Sequence, residues 1–364
     1  MTRSFIVAAH RSAVAPRGGA LAHLDIHDLA APVVQACLKT AGIAAQDVDE
    51  LIAGNALGAG GNPARLVALA SGLPASVAGL SIDRQCCSGL DAINLADALI
   101  KSGRAQVVIA GGVESYSRRP LRSRTFADGR PAEPYDRPPF APWPDQDPDL
   151  AEAADMLGIP RAAQDSWAIE SHQKAARQTA SDEITPIAGL AQDAFTRNLT
   201  PKLCARAAPI SGDITSANTS VAADAAAFCV VVSAQVADRL TAPALEIIHG
   251  VTVGDRPDCP GIAPVAAIKK LLAETGLTPN TLSVAEVMEA YAAQAIACVT
   301  QAGLDPDIVN PGGGSLARGH PIGASGAINA VRLFHELKTR RGYGLATIAA
   351  AGGLGTALLL RACH

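Results

Sequence analysis

Aromatic residues, long apolar runs and an excess of basic charge are all scarce in this sequence. Phe, Trp and Tyr make up only 3% of its 364 residues, and the formal net charge is -4. Proteins that bind nucleic acids rely on basic surfaces and, for single strands, on aromatic stacking, so no nucleic-acid partner is expected. No stretch approaches the roughly 20 apolar residues of a membrane-spanning helix, so no membrane partner is expected either.

The eight cysteines form neither a disulfide framework nor a metal-binding motif. They are scattered along the chain, and several lie in apolar segments, as Cys229 does between Phe228 and three valines. Cysteines in such surroundings are typical of small buried residues in a reducing compartment, which predicts a cytoplasmic protein. Neither Cys-x-x-Cys nor His-Glu-x-x-His occurs, so no metal site is predicted.

Three regions differ in their pattern of apolar residues. Residues 1–117 and 244–364 alternate short apolar runs with helical stretches, which predicts a largely parallel sheet covered on both faces. Residues 118–243 separate these regions and begin with a proline-rich segment, 118–150. Because proline disrupts both ladders and helix interiors, we expect that segment to be irregular. In the third region a strand is predicted at 307–310.

The first and third regions also resemble each other. Ser88-Gly89 opens a predicted helix that leads to a strand ending in Gly-Gly at 111–112. Ser325-Gly326 opens a second helix, which leads to a strand ending in Gly-Gly at 352–353. A duplicated half-domain explains this repetition, and chance similarity of two strand–helix–strand units is the alternative.

Cys86 lies where a predicted strand gives way to a helix, within a polar turn rich in Ser and Gly. The positive end of a helix dipole lowers the pKa of a thiol, so this position favours a nucleophilic thiolate. On composition alone, a buried structural cysteine is the more common alternative.

A candidate base is His320, which lies among six glycines just before the second Ser-Gly helix. Glycine-rich loops often bind phosphates, but the lysine of such loops is missing here. The alternative role is that of a structural histidine. Because His320 occupies the second copy of the turn that carries Cys86, the duplication predicts that the two turns face each other. This arrangement is typical of Cys–His nucleophilic catalysis.

These motifs resemble the thiolase family over nearly the whole chain. In that family the reactive cysteine stands two residues before Ser-Gly, which selects Cys86 over Cys87. The most specific match is the Gly-His-Pro signature around His320. The matching segments are 55–65, 84–90, 111–115, 170–176, 261–266, 289–294 and 310–326.

The resemblance implies an α/β thiolase fold in which two βαβαβαββ halves form a five-layered α/β/α/β/α core with an inserted loop domain. We accordingly expect an N-terminal half at 1–117, a loop domain with a return strand at 118–243, and a C-terminal half at 244–364. It further implies a homodimer or homotetramer, acyl-CoA as substrate, no permanently bound cofactor and a place in lipid metabolism.

The resemblance also implies roles for individual residues. Cys86 would carry the acyl group and His320 would activate it. The backbone N–H groups of Cys86 and Ala351 would form an oxyanion hole, Ser220 would contribute to coenzyme A binding, and Glu289 is a possible supporting residue.

Three departures from the family pattern affect positions to which the family assigns a role. Ala349 replaces the second catalytic cysteine of the Cys-x-Gly-Gly-Gly-x-Gly run, and Met288 replaces the asparagine of Asn-Glu-Ala-Phe, which here reads 288–291. In the segment 217–221, Val221 replaces the last glycine of Gly-Asn-Ala-Ser-Gly. The acylation residues are thus kept, whereas residues for the Claisen step are lost.

We therefore predict an acyl-CoA acyltransferase that works through acyl-Cys86 and in which carbon–carbon bond chemistry is doubtful. The alternatives are an ordinary acetyl-CoA acetyltransferase or 3-ketoacyl-CoA thiolase, a hydrolase of the acyl-enzyme, and a non-catalytic thiolase-like subunit.

Overall fold

The computed structural model describes residues 2–58, 60–178 and 182–362. Ala59 of the early loop and Cys363 lie outside the described residues. The seven cysteines within the described ranges are free. Among the described residues, no helix combines the length and apolar character needed to cross a bilayer.

The described chain is a mixed α/β structure. Its strands are β1 Ser4–Ser12, β2 Ala15–Pro16, β3 Glu50–Gly54, β4 Leu80–Ile82, β5 Val107–Ser115, β6 Arg122–Arg124, β7 Glu133–Tyr135, β8 Ile184–Thr185, β9 Pro209–Ser211, β10 Ile214–Thr215, β11 Ala223–Ser233, β12 Leu245–Gly254, β13 Leu282–Val287, β14 Tyr343–Ala350 and β15 Leu354–Ala362. Its helices are α1 Ile26–Ala41, α2 Pro63–Ala70, α3 Ser88–Lys101, α4 Leu150–Asp155, α5 Arg161–Arg177, α6 Pro201–Ala205, α7 Ala234–Ala237, α8 Ala263–Thr275, α9 Ala292–Ala302, α10 Ser315–Arg318 and α11 Ile322–Leu337.

Several helices begin and end where their sequences provide caps. Asp25 and Asp28 form a capping box at the start of α1, which satisfies backbone N–H groups that lack helical partners. α1, α8 and α9 each end at a glycine with a φ of 67–69° (Gly42, Gly276 and Gly303), the left-handed conformation that glycine adopts without strain.

The main sheet has the strand order β13-β14-β15-β12-β1-β11-β5-β3-β4, with β2 and β8 paired to it beside this path. The first half is the series β4-β3-β5-β11-β1, and the second is β13-β14-β15-β12 with a parallel bridge from Ala285 to Val309 beyond β13. Read from the outer edge, β4, β3, β5, β11 and β1 of the first half correspond to the Val309 bridge, β13, β14, β15 and β12 of the second half. The duplication predicted from the two Ser-Gly helix starts is therefore present in the strand topology.

The two halves join through a short contact between β1 and β12. Phe5 pairs with Glu246 and Ile6 with Leu245, in antiparallel orientation. β1 and β12 are the first strands of their halves. Both have an irregular register near their start, at Ile6/Ala8 in β1 and at Ile247/His249 in β12. The repeated irregularity is further evidence of duplication.

The expectation of a largely parallel sheet is wrong for the middle of the sheet. Strands β3, β4 and β5 pair in parallel, as do β13 and β14, because a crossover helix returns the chain each time. In contrast, β11 pairs antiparallel with β5 and β1, and β15 pairs antiparallel with β14 and β12. The alternation of strands and helices does not reveal that these strands insert between the others.

The layers follow from three apolar clusters. Ile93 of α3 and Val331 of α11 lie in a central cluster that includes residues of both halves of the sheet. Val33 of α1 belongs to a second cluster on the outer face of the first half, and Leu271 of α8 to a third on the outer face of the second half. Two helices thus lie between the halves and others cover them outside, which gives five layers.

Glycines allow α3 and α11 to approach each other closely. A β-carbon on Gly89 would lie 2.7 Å from the carbonyl oxygen of Gly323, and one on Gly326 would lie 2.8 Å from the amide nitrogen of Leu90. Larger residues would therefore collide with backbone atoms, which cannot move aside cheaply. The first turns of the two helices meet here, beside the turns that carry Cys86 and His320.

Two local expectations also need correction. Within the proline-rich segment, β6 and β7 form a short antiparallel ladder in which Ser123 pairs with Pro134. The predicted strand at 307–310 is instead a 3₁₀ turn, Pro306–Ile308, followed by the single bridge of Val309. The domain boundaries at 117/118 and 243/244 stay a prediction, although β11 does return from the middle region to the first half.

Candidate active site

Cys86 lies in a tight turn between β4 and α3. Gln85–Cys87 form one turn of 3₁₀ helix, and Gln85 has a φ of 51°, which is unfavourable for a residue other than glycine. Ser88 stabilises this turn because its hydroxyl donates to the carbonyl oxygen of Gln85 and accepts from the N–H of Arg84, both at 2.7 Å. The strained turn resembles the nucleophile elbow of other enzymes in its geometry.

His320 lies opposite this turn. Its Nε2 atom is 3.1 Å from Sγ of Cys86, so the two residues predicted to act together are in contact. Gly319 before it has a φ of 114°, and the N–H of His320 donates to the carbonyl oxygen of Val221 at 2.7 Å. The glycine-rich loop and the segment 217–221 therefore determine together where the imidazole lies.

Ser325 determines which nitrogen of His320 carries the proton. Its Oγ atom is 2.6 Å from Nδ1 of His320 and donates to the carbonyl oxygen of Pro321 at 3.1 Å. When the single hydroxyl proton is directed to Pro321, Oγ can only accept, and this arrangement favours the tautomer with the proton on Nδ1. Nε2 is then unprotonated and can accept the proton of the Cys86 thiol. Sequence reasoning noted Ser325 only as a helix start and missed this role.

Burial keeps the Cys–His pair uncharged in the resting state. It raises the pKa of the Cys86 thiol to about 12, to which the nearby charges of Glu114 and Asp83 contribute, and it lowers the pKa of His320 to about 4. The expectation of a lowered thiol pKa at a helix start thus differs from the structure, because loss of water around the sulfur is the larger effect. His320 must therefore take the proton during the reaction.

Cys86 and His320 open into a cavity of about 120 Å³. Among the residues assigned roles from the sequence, Ser220, Ala349 and Ala351 also line it. Its full lining is Cys86, Leu150, Ala153, Ala154, Thr219, Ser220, Pro260, Gly261, Ala290, Tyr291, Gln294, His320, Ala349, Ala350 and Ala351.

Ala351 begins the turn between β14 and β15. Gly352 and Gly353, which follow it, have φ values of 77° and 76°, whereas Ala351 itself does not adopt a positive φ. An alanine is thus compatible with this backbone, and Ala351 is one of the residues that line the cavity. Its proposed role in the oxyanion hole remains a prediction.

Glu289 lies in the framework behind the cavity. Its buried carboxylate accepts hydrogen bonds from Nε1 of Trp167 at 3.0 Å, Oγ of Ser171 at 2.8 Å and Nδ2 of Asn310 at 2.9 Å. Its backbone carbonyl oxygen accepts from the hydroxyl of Ser220. Glu289 therefore connects α5 to the loop before His320, and its supporting role in the reaction stays a prediction.

Met288 is buried beside a second, much smaller cavity. That cavity is also lined by Ser315, Ser325 and Asn329. Met288 thus shares this small cavity with Ser325, whose hydroxyl contacts His320, and its side chain offers no polar group there.

Glu114 is a buried residue whose role sequence reasoning missed. Its carboxylate accepts from the N–H of Ala56 at 3.0 Å, the N–H of Gly323 at 2.9 Å and Nδ2 of Asn55 at 2.8 Å. Burial raises its pKa to about 7. Glu114 connects the loop after β3 to the first turn of α11. In the sequence, the only sign of this role is its position at the end of a predicted strand.

A set of possible metal ligands occurs outside this site. The ligand atoms of Asp25, His27 and Asp28 all lie within 4.8 Å of one another at the start of α1. Two of these side chains already have other partners, since Asp25 and Asp28 form the capping box of α1. The set therefore has a structural role that requires no ion.

Comparisons with known proteins agree in family and fold. The family model for the thiolase N-terminal domain matches residues 4–134, and that for the thiolase C-terminal domain matches 241–362. The chain is 38% identical to "Putative acetyl-CoA C-acetyltransferase YhfS" of Bacillus subtilis (strain 168), over 97% of this chain and 98% of that one. It is 36% identical to "Putative acetyl-CoA C-acetyltransferase VraB" of Staphylococcus aureus (strain MRSA252), over 99% of each chain.

Solved structures give the same result. The crystal structure of the Bacillus anthracis acetyl-CoA acetyltransferase has a TM-score of 0.93 and 33% identity, and covers 100% of this chain and 99% of its own. The Acat5 thiolase from Ascaris suum, solved in complex with coenzyme A, has a TM-score of 0.91 and 30% identity, and covers 99% of this chain and 100% of its own.

The neutral pair leads to a distinctive pH dependence for alkylation of Cys86 by iodoacetamide. In the natural protein the rate constant should be nearly constant between pH 6 and 9, because His320 (pKa about 4) stays unprotonated and the thiol (pKa about 12) stays protonated. In His320→Ala only the thiolate reacts, so the rate should rise about tenfold per pH unit and be at least about 100-fold lower at pH 7.

The control is His249→Ala, which removes an exposed imidazole that contacts Glu274 on the surface. It should behave like the natural protein, and peptide mapping should locate the label on Cys86. If the alkylation rate constant increased equally steeply with pH in the natural protein and in His320→Ala, His320 would not act as the base.

Proposed function

Because the chain belongs to the thiolase family, we propose that it transfers acyl groups from coenzyme A thioesters through an acyl-Cys86 intermediate. Its fold is the thiolase fold that the sequence predicted. The single observation that carries the proposal is the 3.1 Å contact of Sγ with an imidazole whose tautomer leaves Nε2 free to accept a proton.

The acylation step follows from this geometry. Sγ of Cys86 attacks the thioester carbonyl carbon while its proton passes to Nε2 of His320. The carbonyl oxygen becomes an oxyanion, and the N–H groups of Cys86 and Ala351 are the proposed donors to it. When the carbon–sulfur bond to coenzyme A breaks, the leaving thiolate takes the proton back from His320. Transfer of a proton by a positioned base typically accelerates a reaction by about 10²–10⁴-fold.

Coenzyme A thioesters are supported as substrates by the relatives' names and by the bound coenzyme A of the Ascaris suum structure. In this chain, the backbone N–H of Ser220 donates to the carbonyl oxygen of Ala290 at 3.0 Å, and its hydroxyl contacts Glu289. Ser220 thus holds one wall of the cavity, along which we place the pantetheine arm. No permanently bound cofactor is part of the proposal.

We expect this protein to form or cleave carbon–carbon bonds much less efficiently than it transfers acyl groups to Cys86. Ala349 lines the cavity and provides only a methyl group where an acid or base is needed, and Met288 provides no hydrogen bond beside Ser325. An ordinary acetyl-CoA acetyltransferase is the second candidate, favoured by the relatives' names. Hydrolysis of the acyl-enzyme and a non-catalytic role remain possible outcomes of the experiments.

We also propose that the protein is a homodimer, with a dimer of dimers as the larger alternative. Strand β4 is the last of its half of the sheet, so one edge of its backbone has no strand partner among the residues that the structure describes. Leu80 on β4 is 41% exposed, and Leu66 and Leu69 on the neighbouring helix α2 are 41% and 48% exposed. An exposed apolar edge strand is suited to pair with a second copy of itself.

Acylation is tested directly by mass spectrometry. Incubation with acetyl-CoA should add one acetyl group to the natural protein, and peptide mapping should place it on Cys86. Cys86→Ala should lose the modification entirely, whereas Cys204→Ala, which removes a buried cysteine outside the cavity lining, should keep it. Modification of Cys87 or Cys363 in place of Cys86 would falsify the assignment, and its absence would favour the non-catalytic alternative.

The role of Ala349 is tested by thiolysis of acetoacetyl-CoA, followed by its absorbance in the presence of coenzyme A. We expect the natural protein to show very weak thiolysis even where Cys86 is acylated readily, because no thiol protonates the departing α-carbon. Ala349→Cys should increase the rate by about tenfold or more, a part of the roughly 10²–10⁴-fold that acid–base catalysis contributes. Ala349→Cys with Met288→Asn should exceed either single change, because both act on one transition state.

The control for this experiment is Ala154→Cys, which introduces a thiol on another wall of the same cavity and should not increase thiolysis. Robust thiolysis by the natural protein would support the ordinary thiolase activity and exclude a need for the second cysteine.

The dimer is tested with Leu80→Arg. An unpaired charge in the centre of the proposed interface should reduce the mass measured by light scattering to that of one chain. Leu121→Arg changes a leucine that is 91% exposed and lies outside β4 and α2, and it should leave the mass unchanged. An unchanged dimer in Leu80→Arg would place the interface elsewhere.

A further inference from the structure

Two hydroxyl-bearing residues lie side by side in the wall of the Cys86 cavity. Thr219 and Tyr291 form an antiparallel bridge, and the hydrogen bonds from Ser220 to Ala290 (3.0 Å) and from Ala292 to Asn218 (2.9 Å) hold the two segments together. Side chains directly opposite each other in such a pair have Cβ atoms about 4.5–5.5 Å apart. Both residues line the cavity that contains Cys86 and His320.

Thr219 has a hydroxyl group that is left unpaired by the part of the chain that the structure describes. Its Oγ1 atom is buried and has no hydrogen-bond partner among the described residues. A buried polar group left without a partner costs about 1–3 kcal/mol, so such groups usually serve a ligand or a bound water. Thr219 lines the cavity that contains Cys86, so a ligand bound in that cavity is the candidate partner.

Tyr291 complements Thr219 as a donor. Burial raises the pKa of its phenol, and the nearby charges of Asp149 and Cys86 act in the same direction. The phenol therefore stays protonated at all ordinary pH values and can donate a hydrogen bond into the cavity. An oxygen atom between the two residues could accept from Tyr291 and, if it carries a proton, donate to Thr219.

The remaining polar side chains of the cavity are already engaged. The hydroxyl of Ser220 contacts Glu289, and the amide of Gln294 contacts the N–H of Ala290 and the sulfur of Cys298. Other residues of the lining, such as Ala154 and Ala349, are small and apolar. Hydrogen-bonding capacity beyond the catalytic pair is therefore concentrated at Thr219 and Tyr291.

Both residues are departures from the family letters quoted above. Thr219 stands at the alanine of Gly-Asn-Ala-Ser-Gly, and Tyr291 at the phenylalanine of Asn-Glu-Ala-Phe. Each change adds one hydroxyl, and the fold brings the two hydroxyls to the same wall. Relative to the family pattern, the chain thus lacks the polar side chains at positions 349 and 288 and has two additional hydroxyls, on Thr219 and Tyr291.

We propose that Thr219 and Tyr291 form a subsite for a hydroxyl group carried by the acyl chain, so that the protein selects short hydroxyacyl-CoA thioesters over unsubstituted ones. The inference rests on the proposed function for its acyl-CoA ligand. The cavity of about 120 Å³ suits a short chain, since it is smaller than the roughly 300–1,000 Å³ of pockets for drug-sized ligands.

The test compares two thioesters of equal chain length, 3-hydroxybutyryl-CoA and butyryl-CoA, by calorimetric binding to Cys86→Ala, which cannot be acylated. We expect 3-hydroxybutyryl-CoA to bind about tenfold more tightly, which corresponds to one or two hydrogen bonds. Adding Tyr291→Phe or Thr219→Ala should remove most of this preference by weakening only 3-hydroxybutyryl-CoA. Thr219→Ser, which keeps the hydroxyl, should retain it.

Equal binding of the two thioesters to Cys86→Ala would overturn the inference. An equal weakening of both thioesters by Tyr291→Phe and Thr219→Ala would also overturn it, because the pair would then contact the coenzyme A portion or only support the fold. The acylation rates of the natural protein with the same two thioesters test the proposed function independently of the subsite. Selective binding without acylation contradicts only acyl transfer, whereas acylation without selectivity contradicts only the subsite.

Discussion

The contact between the first turns of α3 and α11 determines the geometry of the whole site. Gly89 and Gly326 have no side chains at the point where a β-carbon would meet backbone atoms of the other helix. Cys86 lies just before one helix and His320 just before the other, so their separation of 3.1 Å depends on how closely the helices approach. The duplicated fold thus produces an asymmetric pair from two similar turns, with a thiol on one and an imidazole on the other.

Buried carboxylates hold the loops around this contact. Glu114 connects the loop after β3 to the start of α11, and Glu289 connects α5 to the loop before His320. Each accepts at least three hydrogen bonds, which offsets the cost of burial. Neither carboxylate lines the cavity, and most of the side chains that line it beside Cys86 and His320 are apolar. The uncharged resting state of the Cys–His pair is a direct result of this poorly hydrated environment.

The sequence predicted the parts of the structure that local patterns encode. The repeated Ser-Gly helix starts indicated the duplication, and with it the meeting of Cys86 and His320, because equivalent turns of two halves come together at a pseudo-twofold axis. The directions of β11 and β15 were not predictable in this way, since their neighbours are far away in the chain and periodicity does not identify a partner. The functions of Ser325 and Thr219 depend on where a hydroxyl points and on whether it is already paired. The pKa of Cys86 depends on burial, which a helix-start motif does not report.

The position of β1 in the middle of the sheet has a consequence for synthesis of the chain on the ribosome. β1 is made before its neighbours β11 and β12, which lie at Ala223–Ser233, near the end of the middle region, and at Leu245–Gly254. At translation rates of about 5–20 residues per second, on the order of ten seconds or more pass between the synthesis of β1 and that of β11 and β12. During that interval the nascent chain presents an open strand edge, so chaperone binding near the exit tunnel would protect it from pairing with other nascent chains.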